Sequence, residues 1–414
     1  MPLSASTQPI SVSRPPAPAL HINFLDGFRG LAALYVMLFH FLDMNREGLL
    51  HWELRAARLM EAGHSSVTLF MVLSGFSLML PVARAANGTL KGGTGGFLKR
   101  RARRILPPYY AALLLSLLSL ALSPPGLAYL HGVRDPEYLS NFTAPAVLSH
   151  LFLLQNTGQD WQSRINQAMW SIATEWQIYF LLPFVLLPVW RRGGVWALAA
   201  AGLVLGVAPV GLVLRDVSHV PMAAWYIGSF TIGAVGAVWA WRGLAEEQER
   251  PALRRAALIG LGLSTVAYAL ACKYVAPPHT IVTNAAHNYL NAVLKDYLLS
   301  AMIACVLVYD TLARDLPASW SFTPFRLLET PVARCLGAFS YSLYLTHCII
   351  LLQANAWIAT EHIAPATGFV LKGVLGLPTA LLFAYLFHLA FEKPFMVTSE
   401  SRNMRLLAEA PARP

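Results

Sequence analysis

The chain has 414 residues, of which 56% are hydrophobic and only 13% charged. Soluble domains carry about 25% charged residues; a deficit running the whole length excludes a soluble globular protein and indicates an all-α polytopic membrane protein, a bundle of about ten transmembrane helices. The net charge of +10 does not point to a nucleic-acid partner, because the basic residues lie between apolar runs rather than in a patch.

Residues 1–23 are rich in Pro, Ser and Ala and lack the basic and apolar regions of a signal peptide. They are expected to form a disordered cytoplasmic tail, and residues 397–414 a cytoplasmic tail at the other end. Between them, candidate spans fall at 24–43, 64–82, 107–126, 169–190, 194–214, 223–242, 255–272, 291–312, 333–356 and 368–390. With the N-terminus inside, the inner segments hold 21 Lys and Arg, the outer segments 7 and the spans 3, together the 31 of the chain. That bias predicts both termini in the cytoplasm. Cys272, Cys305, Cys335 and Cys348 sit in or beside apolar runs without metal-ligand spacing, so buried thiols are expected and no metal.

The first span, FLDGFRGLAALYVMLFHF, carries Asp26, Arg29 and His40. A charge at the bilayer centre costs roughly 2.5–3.5 kcal/mol on the insertion scale, so such residues point to function. Arg29 and His40 are 11 positions apart, about 20° beyond three full turns, which puts them on one face about 16 Å apart. Asp26 lies three positions before Arg29 and is placed to pair with it. The plain alternative is a snorkelling arginine and a histidine bonded to a neighbouring helix.

The second span contains FMVLSGFSLML, where Ser74 and Gly75 suit close helix packing better than nucleophilic chemistry. The segment FLKRRARRILPPYY then places Arg100, Arg101, Arg103 and Arg104 on a short helix, with Pro107 and Pro108 separating it from the next span. Guanidinium forks bind phosphate; an anchor on anionic lipid is the alternative. In the long outer connection 127–168, SHLFLLQNTG is too short to span and is expected to be re-entrant or interfacial. Glu175, in MWSIATEWQIYFLLP, lies at a depth similar to His40 and is expected to orient or charge-balance that imidazole. In the ninth span, Ser340, Tyr344 and His347 fall at 0, +4 and +7 on one face and are expected to line a cavity. Lys295, Asp296, Lys372 and His388 receive no role.

FLDGFRGLAALYVMLFHF resembles the Arg/Lys-x10-His signature of acyltransferase family 3, and the later blocks follow in the family's order: FMVLSGFSLML, RRARRILPPYY, LFLLQN, MWSIATEWQIYFLLP, FSYSLYLTH and FEKPF. The resemblance covers nearly all of residues 24–396. It implies a membrane O-acyltransferase moving an acetyl or other short acyl group from cytoplasmic acyl-CoA to a hydroxyl of a glycan, with a cell-surface polysaccharide first and a glycosylated metabolite such as a macrolide second. It implies His40 as the essential histidine, Arg29 as its basic partner, the arginines 100–104 as the coenzyme element and Glu175 as the acidic residue of the Trp-Ser block. That block reads Thr-Glu-Trp-Gln where a second acid is frequent, so a mechanism needing adjacent carboxylates does not fit. Asp26, Ser74, Trp170, Tyr344 and His347 are expected around the substrate cavity. A bacterial inner membrane is the expected location, and no appended SGNH domain is expected. The rival from another class is a transporter or flippase, which an inverted repeat would favour; none is visible.

Overall fold

A computed structural model describes residues 24–43, 63–130, 136–209, 223–274, 285–313 and 327–396; both tails lie outside these. All regular structure among the described residues is helical. The long helices are α1 (Phe24–Asp43), α2 (Gly63–Arg84), α3 (Gly93–Ala121), α4 (Trp170–Val207), α5 (Trp225–Ala245), α6 (Arg250–Tyr274), α7 (Ala285–Ala313), α8 (Ser340–Thr360) and α9 (Pro365–Phe395). Eight of these are long and apolar enough to cross a membrane, which identifies an all-α polytopic membrane protein.

The exception, α5, is rich in Gly, Ala, Trp and Tyr, which lowers its hydropathy, yet it lies at the centre of the bundle against α2. Small residues there let backbones touch, as membrane helices require when lipid and core are equally apolar. A methyl group on Gly75 would stand 1.9 Å from the carbonyl oxygen of Phe230, and one on Gly233 would stand 2.1 Å from that of Val72. The packing expected of Ser74-Gly75 is therefore present.

The break expected between the spans 169–190 and 194–214 is present: within α4 the backbone leaves helical geometry at Gly194, where φ is 71° and ψ −165°, and residues 210–214 lie outside the described residues. The observed boundaries revise the expected ones in two places. The ninth span starts at Ser340 rather than 333, because Pro331–Ala338 is a separate short helix ending at Phe339. That short helix packs on the start of α1.

Most consequentially, Pro107 and Pro108 do not separate the arginine segment from the span: both lie inside α3. Each proline removes one backbone donor without forcing a break. At 29 residues this helix is about 44 Å long, well beyond the roughly 30 Å of hydrocarbon, so its first turns carry the arginines past the apolar zone. In α9, π-turns at Lys372–Gly376 and His388–Glu392 interrupt the regular ladder. The second holds a buried pair in which His388 Nδ1 and Ser342 Oγ both reach Glu392 Oε2, at 2.8 and 2.5 Å. Lys372 pairs with Asn355.

Cys348 is buried, whereas Cys305 is half-buried and Cys272 and Cys335 lie on exposed helix faces. The expectation of four buried thiols therefore fails, because those faces of α6 and the short helix turn away from the bundle.

Candidate active site

A cavity of about 330 Å³ opens between α1, α2, α3, α4 and α8. Its lining includes Asp26 and Arg29 from α1, Ser74 and Ser77 from α2, Arg101 and Arg104 from α3, and Glu175 and Tyr179 from α4. Three guanidinium groups against two carboxylates leave it net cationic. Arg29 Nη1 donates to Asp26 Oδ1 at 3.2 Å, as the spacing predicts, and Nη2 donates to Ser77 Oγ at 3.1 Å.

The register of the arginine cluster is now resolved. Arg101 and Arg104, one turn apart, face the cavity. Arg100 and Arg103 are exposed, and Arg100 donates to the Lys91 carbonyl at 2.6 Å. The four arginines therefore do not act as one group, because a quarter-turn of helix separates the two faces. The Arg101 guanidinium lies 6.0 Å from the ring centre of Phe97 and 5.9 Å from that of Tyr179. Its Nε is buried without a hydrogen-bond partner. A buried donor left unmade costs about 1–3 kcal/mol, more when charged, so this fork is set up for an acceptor.

Glu175 does not take the place expected for it. Its Oε1 accepts from Ser74 Oγ at 2.8 Å and from Tyr179 Oη at 2.5 Å. It therefore holds the ring beneath Arg101 rather than the imidazole of His40. Shared depth had suggested the pairing, but azimuth around α4 decides it.

His40 instead finds Gln167, whose Nε2 lies 2.6 Å from His40 Nδ1. Amide rotation lets Gln167 either donate to Nδ1 or accept from it. The second arrangement puts the ring proton on Nδ1 and leaves Nε2 unprotonated, the tautomer a base requires. On its other side, the His40 ring stacks on His347 with centroids 5.2 Å apart and planes 29° apart. His347 Nδ1 is 2.9 Å from the Leu343 carbonyl, and its Nε2 is 3.4 Å from Cys348 Sγ. Ligand atoms of His40, His347 and Cys348 lie within 4.8 Å of one another, the one such His/Cys group among the described residues.

Gln167 was not singled out from the sequence, although two adjacent amides, Asn166-Gln167, just before a span were the available signal. The connection between α3 and α4 holds them in place. It runs as short helical pieces, including Ala144–Leu151 and Gln155–Thr157, rather than a long helix. Leu148, Leu151, Phe152 and Leu154 are exposed on it. Underneath, Gln155 donates to Tyr109 Oη and the Met169 carbonyl, and Asn156 to Thr174 and Gln177. Asn166 Nδ2 donates to the Leu345 carbonyl of α8 at 2.9 Å and to Ser116 Oγ at 3.1 Å. Ile165 holds φ at 63° beside them, a conformation costing about 1–3 kcal/mol that only surrounding bonds sustain.

The cavity lining stops at Phe70, Ser171 and Tyr344. Ser171 Oγ and Tyr344 Oη share a 2.6 Å hydrogen bond, and behind the Tyr344 ring stands His347, 6.1 Å away between centroids. Ser340 and Tyr344 thus line the cavity, while His347 and His40 lie just past its end. Trp170 is not in this lining; its ring packs on Tyr226 at 5.9 Å.

A bundle of membrane-length helices around a cationic pocket, ending beside a paired histidine, defines a membrane protein with an internal polar cavity. The chain belongs to acyltransferase family 3: residues 22–389 match the family's acyltransferase domain, which makes it a membrane acyltransferase. No curated protein and no solved structure matches it.

Proposed function

We propose that this protein transfers an acyl group, acetyl in the simplest case, from acyl-CoA to a hydroxyl of a glycan, with cell-surface polysaccharide as the principal acceptor class. The observation that carries the reading is the inward pair Arg101 and Arg104, with its buried orphan donor, at the mouth of a cavity leading to His40. Phosphates of the coenzyme would take the guanidinium forks. The cavity admits the extended pantetheine arm rather than the whole coenzyme, and the thioester would travel past Arg29 towards Tyr344. Rotation of Tyr344 away from Ser171 would open the last step to His40.

A thioester is already activated, so the chemistry needs a placed base. In direct transfer, His40 Nε2 takes the acceptor hydroxyl proton as that oxygen attacks the carbonyl carbon, the C–S bond breaks and the thiolate leaves. In the two-step form, Nε2 itself attacks first and the acyl-imidazole is then passed to the hydroxyl. Gln167 holds the ring in either form.

The arginine end would face the cytoplasm, where the donor is, in keeping with the Lys and Arg bias that puts both termini there; a bacterial inner membrane fits this arrangement. The test is incubation of purified protein with labelled acetyl-CoA and a panel of polysaccharide and macrolide acceptors, alongside proteoliposomes loaded with the same acceptors. Label on an acceptor hydroxyl supports acyl transfer, and the acceptor chosen separates glycan from metabolite. Movement of unmodified acceptor across the vesicle without donor consumption would replace this reading by transport.

A further inference from the structure

The histidine at the end of the cavity stands beside a second imidazole and a thiol. Cys348 follows His347 on α8, and its Sγ is 3.4 Å from His347 Nε2. Both of these side chains are fully buried, whereas His40, from α1, is half-buried and gives the group an approach. One ligand atom from each of the three lies within 4.8 Å of the other two. Spacing along the chain does not reveal such a group, because two helices far apart in sequence supply it.

Two imidazoles and a thiolate suit zinc and its softer neighbours, whereas magnesium and calcium take oxygen. A tetrahedral zinc about 2.3 Å from sulfur and about 2.0–2.1 Å from nitrogen holds those two atoms about 3.6 Å apart. Cys348 and His347 already stand at 3.4 Å. An inward swing of His40 by at most about 1.5 Å closes the remaining edges. Ligating imidazoles also hold their other ring N–H on an oxygen acceptor. His347 Nδ1 lies 2.9 Å from the Leu343 carbonyl oxygen and His40 Nδ1 lies 2.6 Å from the Gln167 amide, which accepts once its oxygen is turned inward. The ligands and the groups that orient them are thus both in place.

We propose that His40, His347 and Cys348 form a site for a zinc-class divalent cation, and that filling it switches acyl transfer off. Binding replaces the Cys348 S–H bond by a sulfur–metal bond, the proton passes to solvent, and the thiolate offsets one of the ion's two charges. Water takes the fourth position. The switch, though not the site, rests on the acyl-transfer reading above. With the ion on His40 Nε2, no lone pair remains there for the acceptor hydroxyl. With the ion on Nδ1, the ring proton sits on Nε2, and the base is equally lost.

The test uses the full chain in lipid nanodiscs, treated with a chelator and then titrated with Zn²⁺, Co²⁺ or Mg²⁺ alone. Zn²⁺ and Co²⁺ should bind saturably at one equivalent per chain and Mg²⁺ should not. The Co²⁺ form should show the near-ultraviolet thiolate-to-cobalt absorption. Cys348→Ala should lose that band and bind Zn²⁺ at least about 100-fold more weakly, since groups that merely orient a ligand already contribute roughly 10- to 100-fold. It should keep the metal-free rate of acetyl transfer and retain it at Zn²⁺ concentrations that silence the wild type. Absence of saturable Zn²⁺ binding overturns the proposal. So does a cobalt band that persists in Cys348→Ala, which would belong to the exposed thiols Cys272 and Cys335. Equal inhibition of both proteins by Zn²⁺, or transfer that requires Zn²⁺, overturns the switch. The two levels separate cleanly. A chelator-treated wild type that moves no acetyl group to any acceptor, yet shows the band, loses the acyl-transfer reading and keeps the metal site. One that transfers acetyl and never shows the band keeps acyl transfer and loses the site.

Discussion

Replacing Arg101 by alanine should weaken donor binding far more than replacing Arg103, although the two stand two positions apart in a run of four arginines. Arg101 faces the cavity with an unmade buried donor. Hydrogen bonds to a charged partner contribute about 1.5–3 kcal/mol each, so losing one raises Kd roughly 10- to 150-fold. Arg103 is exposed, and exposed substitutions lie within about 0.5 kcal/mol, or roughly twofold. Arg101→Lys keeps the charge but loses the fork and should fall between. Titration of acetyl-CoA into purified variants by calorimetry measures all three. Equal weakening by Arg101→Ala and Arg103→Ala would refute the argument, because it would make the segment a general cationic surface rather than an oriented site.

Other outcomes follow from the same geometry. Gln167→Ala should lower kcat roughly 10- to 100-fold, the range for groups that orient a functional histidine, with donor Kd unchanged in calorimetry; a donor-binding defect alone would contradict its role. Glu175→Gln should weaken acetyl-CoA binding through Tyr179 and Arg101 and leave the pH profile of kcat in place. A shifted profile would return Glu175 to His40. In the connection between α3 and α4, burial holds the His150 imidazole below its ordinary 6.5, so the folded protein keeps it neutral where the unfolded chain binds a proton. Stability then rises with pH across the window just below 6.5 and is lost as pH falls through it. The apparent melting temperature should drop between pH 7 and pH 5.5, and His150→Gln should flatten that slope; an unchanged slope would refute the assignment.

The sequence carried the class of protein and the first helix plainly. Charges inside an apolar run are expensive enough to be conspicuous, and Asp26, Arg29 and His40 were visible for that reason. The boundary expected between residues 190 and 194 likewise falls at the break in α4, at Gly194. Azimuth was harder to read. Depth put Glu175 level with His40, but the bond it makes depends on how α4 is rotated against α2, which no single-chain pattern encodes. The arginine register was hidden because the prolines suggested a break, whereas continuity through Pro107 and Pro108 fixes which face of α3 points inward. Gln167 was missed because its position is set by irregular backbone around Ile165, whose conformation depends on distant bonds to Tyr109, Ser116 and Leu345.

The most direct test of the account separates donor binding from chemistry in one variant. His40→Ala should bind acetyl-CoA with wild-type affinity, because the arginine end of the cavity is untouched, while transfer of the labelled acetyl group to any acceptor falls at least about 100-fold. Wild-type transfer rates in that variant at equal expression and equal donor occupancy would contradict the account, since no other described residue would then be needed at the end of the path.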